Sequence, residues 1–431
     1  MQKPGKLRID ACELSPFNLR PRNVAHNWRR HAGPMSTSTA ATLRAYRGPA
    51  LFSFGFRPFF LFAALWSAAA VPLWIVVLSF NGGMLGDQDG RAWHVHEMLF
   101  GFLPGVMAGF LLTAVPNWTG RLPVAGAKLA ALVALWTAGR LASFAPPDLT
   151  LPAAALDSAF LVVFAAVVWR EVLGGRNLRN VPVCLLASGL ALANITWHLR
   201  GVWPQIGDAP ERGALAVAAL LIALIGGRIV PSFTLNWMKA ERLSPLPSSQ
   251  DAFDQQVMGL TAAACLAWLV APVGEATGAL LITAGAAGLL RLASWQGWRC
   301  QREPLVWILH SGYAWLILGF LMLGVAAMRP GLIPHAAPVH ALTAGAIGVM
   351  TLAVMTRASL GHTGRARLAD RKTLAIYVLV NAAALLRVTA PLVGVWTSAL
   401  MTLSALLWMG AFGGFALSYG PMLVSRPTGS R

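Results

Sequence analysis

The stretch RAWHVHEMLFGFLPGVMAGFLLTAVPNWTGR, residues 91–121, decides the fold class. From Val95 to Val115 it is almost wholly apolar, and about 20 such residues span a bilayer as a helix. It nevertheless opens with His94, His96 and Glu97, and ionisable side chains in a membrane segment are costly and usually face the bundle interior. A spanning helix with two imidazoles and a carboxylate in its first turns calls for partners on neighbouring helices.

The rest of the chain repeats this apolar pattern. Of 431 residues 56% are hydrophobic and 12% charged, against about 25% charged in soluble domains, and the mean hydropathy is +0.61. Twelve apolar runs of spanning length are predicted: 58–79, 94–115, 125–145, 151–170, 181–203, 214–237, 255–271, 276–297, 304–328, 338–359, 373–390 and 392–419. The expectation is an all-α polytopic membrane protein, with a basic, disordered cytoplasmic tail over 1–50 and one twelve-helix domain over 51–431. The tail lacks the apolar segment of a signal peptide and is also compatible with a mis-called start. The four cysteines form no C-x-x-C pair, so neither a disulfide framework nor a thiolate zinc site is expected.

Lys and Arg set the orientation. Twenty-six of the 34 fall in the tail, alternate loops and the C-terminus; Arg91, Arg200, Arg212 and Arg329 are the ones in the opposite loops. Both termini are therefore expected in the cytoplasm. The net charge of +18 is a topogenic signal that needs no nucleic-acid partner. Four arginines lie inside helices. Arg140 and Arg291 read as snorkelling residues, whereas Arg228 and Arg387 either hold an anion such as a haem propionate or pair with Asp157. The second, sixth and tenth helices end alike, in TAVPNWTGR, RIVPSFTLNW and AVMTRASLGHTGR, which suggests three pseudo-symmetric four-helix units.

On this topology His94, His96, His198 and His340, with His335 close by, fall at one depth near the outer face. His310 lies deeper in the ninth helix, either as a further metal ligand or as a hydrogen-bonded core group. Imidazole is a frequent metal ligand and haem axial ligand; a lone membrane histidine is more often a helix-pairing group, but a cluster of four at one depth favours the ligand reading. His94 and His96, two residues apart, diverge by about 200° and so serve opposite sides. The His94 face is expected to continue through Met98, Gly101 and Gly105, and the His340 face through Ala344, Ile347, Thr351 and Val354. Glu97 either orients a histidine or caps the helix. No C-x-x-C-H motif is present, so any haem is b-type.

The blocks GFRPFFLFAALW, WHVHEMLFGF, GFLLTAVPNWTG, GGRIVPSFTLNW, HSGYAWLILG and HALTAGAIGVMTLAVMTRASLGHTGR together resemble the NnrS family from Leu51 onward. The resemblance implies a haem- and copper-containing inner-membrane protein of the nitric oxide response and of resistance to nitrosative stress. His94, His96, His310, His340 and His362 lie in the matching blocks, and His198 in a looser one. The architecture is also similar to the catalytic subunit of haem–copper oxidases, with a haem between helices two and ten. That subunit's copper sits on histidines of helices six and seven, where this sequence has none, so any copper requires other ligands: His198, one of the His94/His96 pair, or Met98. The expected function is redox or gas-ligand chemistry at a haem held by His340 and His94 or His96, with nitric oxide or a related small molecule as ligand. The alternative is a twelve-helix transporter of a small anion, with intramembrane arginines as its binding groups.

Overall fold

A computed structural model describes residues 46–79, 90–247 and 251–426. The tail reading falls mostly on residues outside this set. The described chain is helical, and twelve long helices follow one another: α1 Phe56–Ser79, α2 Gly90–Thr119, α3 Ala127–Ala142, α4 Thr150–Gly174, α5 Leu178–Leu199, α6 Pro204–Ala240, α7 Asp251–Val270, α8 Glu275–Ser294, α9 Pro304–Met328, α10 Ala336–His362, α11 Arg371–Leu392 and α12 Gly394–Val424. Eleven are long and apolar enough to cross a membrane. The exception is α3, whose 16 residues give about 24 Å of helix against a hydrocarbon core of about 30 Å.

Three helices form the centre. The buried share of the apolar window is 83% in α2, 72% in α10 and 61% in α6, and at most 50% in the other eight spanning helices. Around them α1, α3 and α4 pack on α2; α5, α7 and α9 on α6; and α9, α11 and α12 on α10, while α12 closes onto α1. The central helices are those whose ends resemble each other in sequence, four helices apart. They share one further feature: each contains a π-helical turn, Glu97–Phe102 in α2, Ile222–Gly226 in α6 and Ala341–Ile347 in α10.

A π turn inserts one residue into the α-helical register. Below it, each side chain faces where its neighbour would have faced. Neighbouring helices take up carbonyls in these turns: Trp136 Nε1 donates to Gly101 O at 2.9 Å, and Arg291 Nη1 to Ala223 O at 3.2 Å. In a bilayer no water is at hand to do this. Helices also approach backbone to backbone where small residues allow it. Between α8 and α9, a Cβ on Gly278 would lie 2.7 Å from Gly324 O, and one on Gly324 2.8 Å from Gly278 O.

Candidate functional site

Two polar sites lie at the end of the bundle where even-numbered helices begin and odd-numbered helices end. They sit on opposite sides of the first turns of α2. His94 and His96 separate there as their spacing requires.

On one side is a cavity of about 480 Å³, within the ~300–1,000 Å³ usual for small-molecule and cofactor sites. His94 and Met98 of α2, His340 and Thr343 of α10, Arg387 of α11 and Trp74 of α1 are among its walls. The His94 ring stacks on Trp74 with centroids 4.0 Å apart. Its Nδ1 is buried without a hydrogen-bond partner, the kind of orphaned group that a bound molecule satisfies. His340 donates from Nδ1 to Ala336 O at 2.7 Å. That bond fixes the tautomer and leaves the Nε2 lone pair free. Arg387 lines the cavity and lies 5.9 Å from the Trp74 ring; among the described residues no carboxylate pairs with it. Arg91, Glu211 and His335 complete the polar rim. Arg91 and Arg200 each reach Glu211 at 3.6 Å. Outside the helices, burial and the charge of Arg91 lower the pKa of His335.

On the other side of α2 is a closed network. His96 Nε2 lies 3.1 Å from Asp157 Oδ2 and 3.2 Å from Asn194 Oδ1, and its Nδ1 lies 3.0 Å from Glu97 Oε1. His198 Nε2 approaches the same Asp157 oxygen at 3.0 Å. Arg140 of α3 bridges the carboxylates, donating to Glu97 Oε2 at 2.6 Å and to Asp157 Oδ1. Apart from His198, these groups are buried. Donor atoms of His96, Asp157 and His198 lie within 4.8 Å of one another, the one such group of three among the described residues. Two carboxylates face a single guanidinium, so one negative charge remains uncompensated. A buried charge of that kind is costly unless paired. A histidinium or a metal cation at the three donors supplies the missing charge.

Several sequence expectations are corrected here. Arg140 and Arg291 do not snorkel; they are 3% and 4% exposed. Arg140 holds the network, and Arg291 pairs with Asp254 at 2.8 Å and donates to Tyr313 Oη at 3.2 Å. Arg228, grouped with Arg387 as an anion holder, is exposed and turns to Asn180 Oδ1 at 3.4 Å, away from the cavity and from Asp157. His310 is buried in a third environment, with Nε2 2.8 Å from Thr234 Oγ1. Since that hydroxyl donates to Val230 O, it accepts from His310. His362 packs against Phe54 and Phe56.

Gly101 and Gly105 do not continue the His94 face. The π turn rotates them toward α3, where a Cβ on Gly101 would lie 2.9 Å from Arg140 Cζ and one on Gly105 3.2 Å from the Trp136 ring. Phe102 takes the cavity wall instead. Asp157 and Arg140 are the site residues that sequence reasoning did not join to the histidines. The available signal was an Arg and an Asp on the facing ends of one helical hairpin.

No protein of curated description matches the chain. The family model described as NnrS protein matches residues 50–426, nearly all of the described structure, and the chain belongs to the NnrS family.

Proposed function

We propose that this protein is a haem-binding membrane protein of the nitric oxide response, with a b-type haem in the His94/His340 cavity and a copper ion at His96, Asp157 and His198. Family membership supports the link to nitric oxide and a multi-pass membrane location. The observation that carries the haem reading is a single cavity faced by His94 of α2 and His340 of α10, with the buried Nδ1 of His94 lacking a partner.

The donor chemistry fits both groups. A haem needs one or two axial imidazoles, a flat apolar slot and cations for its propionates; the cavity offers His94, His340, Phe102, Trp408 and Arg387. Imidazole and carboxylate donors suit copper among the transition metals. When bound, haem iron supplies a centre that exchanges electrons or takes up a gas ligand.

The protein's own groups prepare these sites. The Nδ1 bond to Ala336 holds His340 in one tautomer. The Trp74 stack fixes the plane of the His94 ring. Arg387 offers its charge to an anionic edge. Across α2, Glu97 accepts from His96 Nδ1, and Arg140 holds Glu97 and Asp157 in place, the arrangement that orients metal-bound histidines elsewhere. The proposed orientation puts both sites near the outer face, opposite the basic loops.

Haem and metal stoichiometry of detergent-purified protein tests the reading. The expected result is a Soret band with one haem per chain, and copper retained after chelation of loosely bound metal. Haem-replete expression that yields no Soret band overturns the haem assignment. Anion uptake by proteoliposomes of the metal-free protein would favour a transporter instead.

A further inference from the structure

A second, partly open cavity lies deeper in the bundle, between the three central helices. Its walls come from α2, α6 and α10, with Val106, Ala218, Ile222, Ile347 and Met350 among them, and its volume is about 90 Å³. The lining is apolar apart from Thr351, whose hydroxyl donates to Gly348 O at 3.0 Å and so has no proton to offer a guest. Water needs two to four polar partners to occupy such a space, whereas an apolar cavity of ~150 Å³ stays dry and takes up xenon or benzene. The α6 portion of the wall includes the π turn Ile222–Gly226, and Ile347, the last residue of the π turn in α10, lines this cavity and the His94/His340 cavity alike.

We infer that this central cavity is a docking site for a small apolar diatomic gas, nitric oxide in the proposed function, from which the gas passes Ile347 into the cavity of His94 and His340. Dry apolar walls exclude ions and water but not an uncharged diatomic. A gas held there sits one side chain from the site where the proposed function has it bound. The assignment of nitric oxide rests on that reading; the gas site itself does not.

Xenon tests the site without reference to haem. Xenon-pressurised crystals of the full chain are expected to show an atom among Val106, Ala218 and Met350, and Val106→Phe is expected to remove it. Ala218→Phe fills the same space from another helix and serves if Val106→Phe does not fold. Neither residue lines the His94/His340 cavity. In haem-loaded protein with an unchanged Soret spectrum, either substitution is expected to slow bimolecular association of nitric oxide after flash photolysis about tenfold. A cavity that takes no xenon overturns the gas site, and an unchanged association rate with xenon displaced overturns the route. Protein that binds xenon but never carries haem refutes the proposed function and leaves the gas site standing.

Discussion

His94 and His96, two residues apart on α2, face separate sites: His94 stacks on Trp74 beside the large cavity, while His96 Nε2 lies 3.1 Å from Asp157 in the closed network. Substitutions at the two positions should therefore have different effects. His94→Ala and His340→Ala are each expected to abolish or strongly shift the Soret band while leaving copper in place. His96→Ala and His198→Ala are expected to do the reverse. Visible spectra and metal analysis of the four purified variants decide it; loss of haem in His96→Ala to the same degree as in His94→Ala would refute the separation.

The path from sequence to these sites was open in some places and closed in others. Twelve helices, and a shared depth for His94, His96, His198 and His340, follow from hydropathy and basic-loop alternation. The divergence of His94 from His96 follows from helical angle alone. What runs of apolar residues do not encode is the π turn. One inserted residue after His96 moved Gly101 and Gly105 off the cavity and brought Phe102 onto it. The fate of the arginines within the helices was equally hidden. Arg140 and Arg228 both read as a cation in an apolar helix, and only packing turns the first onto Glu97 and Asp157 and leaves the second on the surface beside Asn180.

Glu97 lies 3.0 Å from His96 Nδ1 and accepts from Arg140, and it does not line the His94/His340 cavity. Glu97→Gln keeps the shape and removes the charge. Loss of such an orienting carboxylate typically lowers metal affinity 10–100-fold. Copper titration against a competing chelator is expected to show a weakening in that range, with the haem spectrum unchanged. An unaltered copper affinity would mean that His96 does not bind the metal.

Asp370 caps α11 outside the apolar segment, accepting from Thr373 N and Thr373 Oγ1, both at 2.8 Å. The Thr373 backbone bond holds its carboxyl below the ordinary 3.8. A group with a depressed folded value stabilises the protein above its unfolded value and loses that contribution as pH falls through the folded one. Asp370→Ala should cost about 1 kcal/mol near neutral pH. The gap to the parent should close as the pH drops below about 4. Thermal melts at pH 7 and at the lowest pH where both proteins stay folded measure it, and a gap that widens in acid contradicts the cap.

Gly101 lies where α2 meets the Arg140 guanidinium. A Cβ there would lie 2.9 Å from Cζ and 3.0 Å from Glu97 Oε2, both inside van der Waals contact. The Arg140 side chain is held at its far end by two carboxylates and has little freedom to yield. Gly101→Ala is therefore expected to destabilise by about 1–3 kcal/mol, as overpacking does. The damage should fall on the His96 network before the His94 cavity. Copper loss with retained haem in the folded variant is the expected pattern. Loss of haem alone would show that the π turn does not face Gly101 toward α3.

Arg140 is the cation on which two buried carboxylates depend. Removing one partner of a buried ion pair costs about 3–5 kcal/mol, because the charge left behind has no solvent to compensate it. Arg140→Met should therefore be among the most destabilising single changes in the chain, lowering the melting temperature in detergent even without metal. Charge is the cause, so the remedy is specific. Adding Glu97→Gln to Arg140→Met removes one orphaned carboxylate and should recover a substantial part of the loss, although Glu97→Gln alone is itself destabilising. A double variant no more stable than Arg140→Met would assign the loss to the volume of the missing side chain. Recovery would show that the network is balanced by charge, and that the negative charge left over beside His96 and His198 is available to a bound cation.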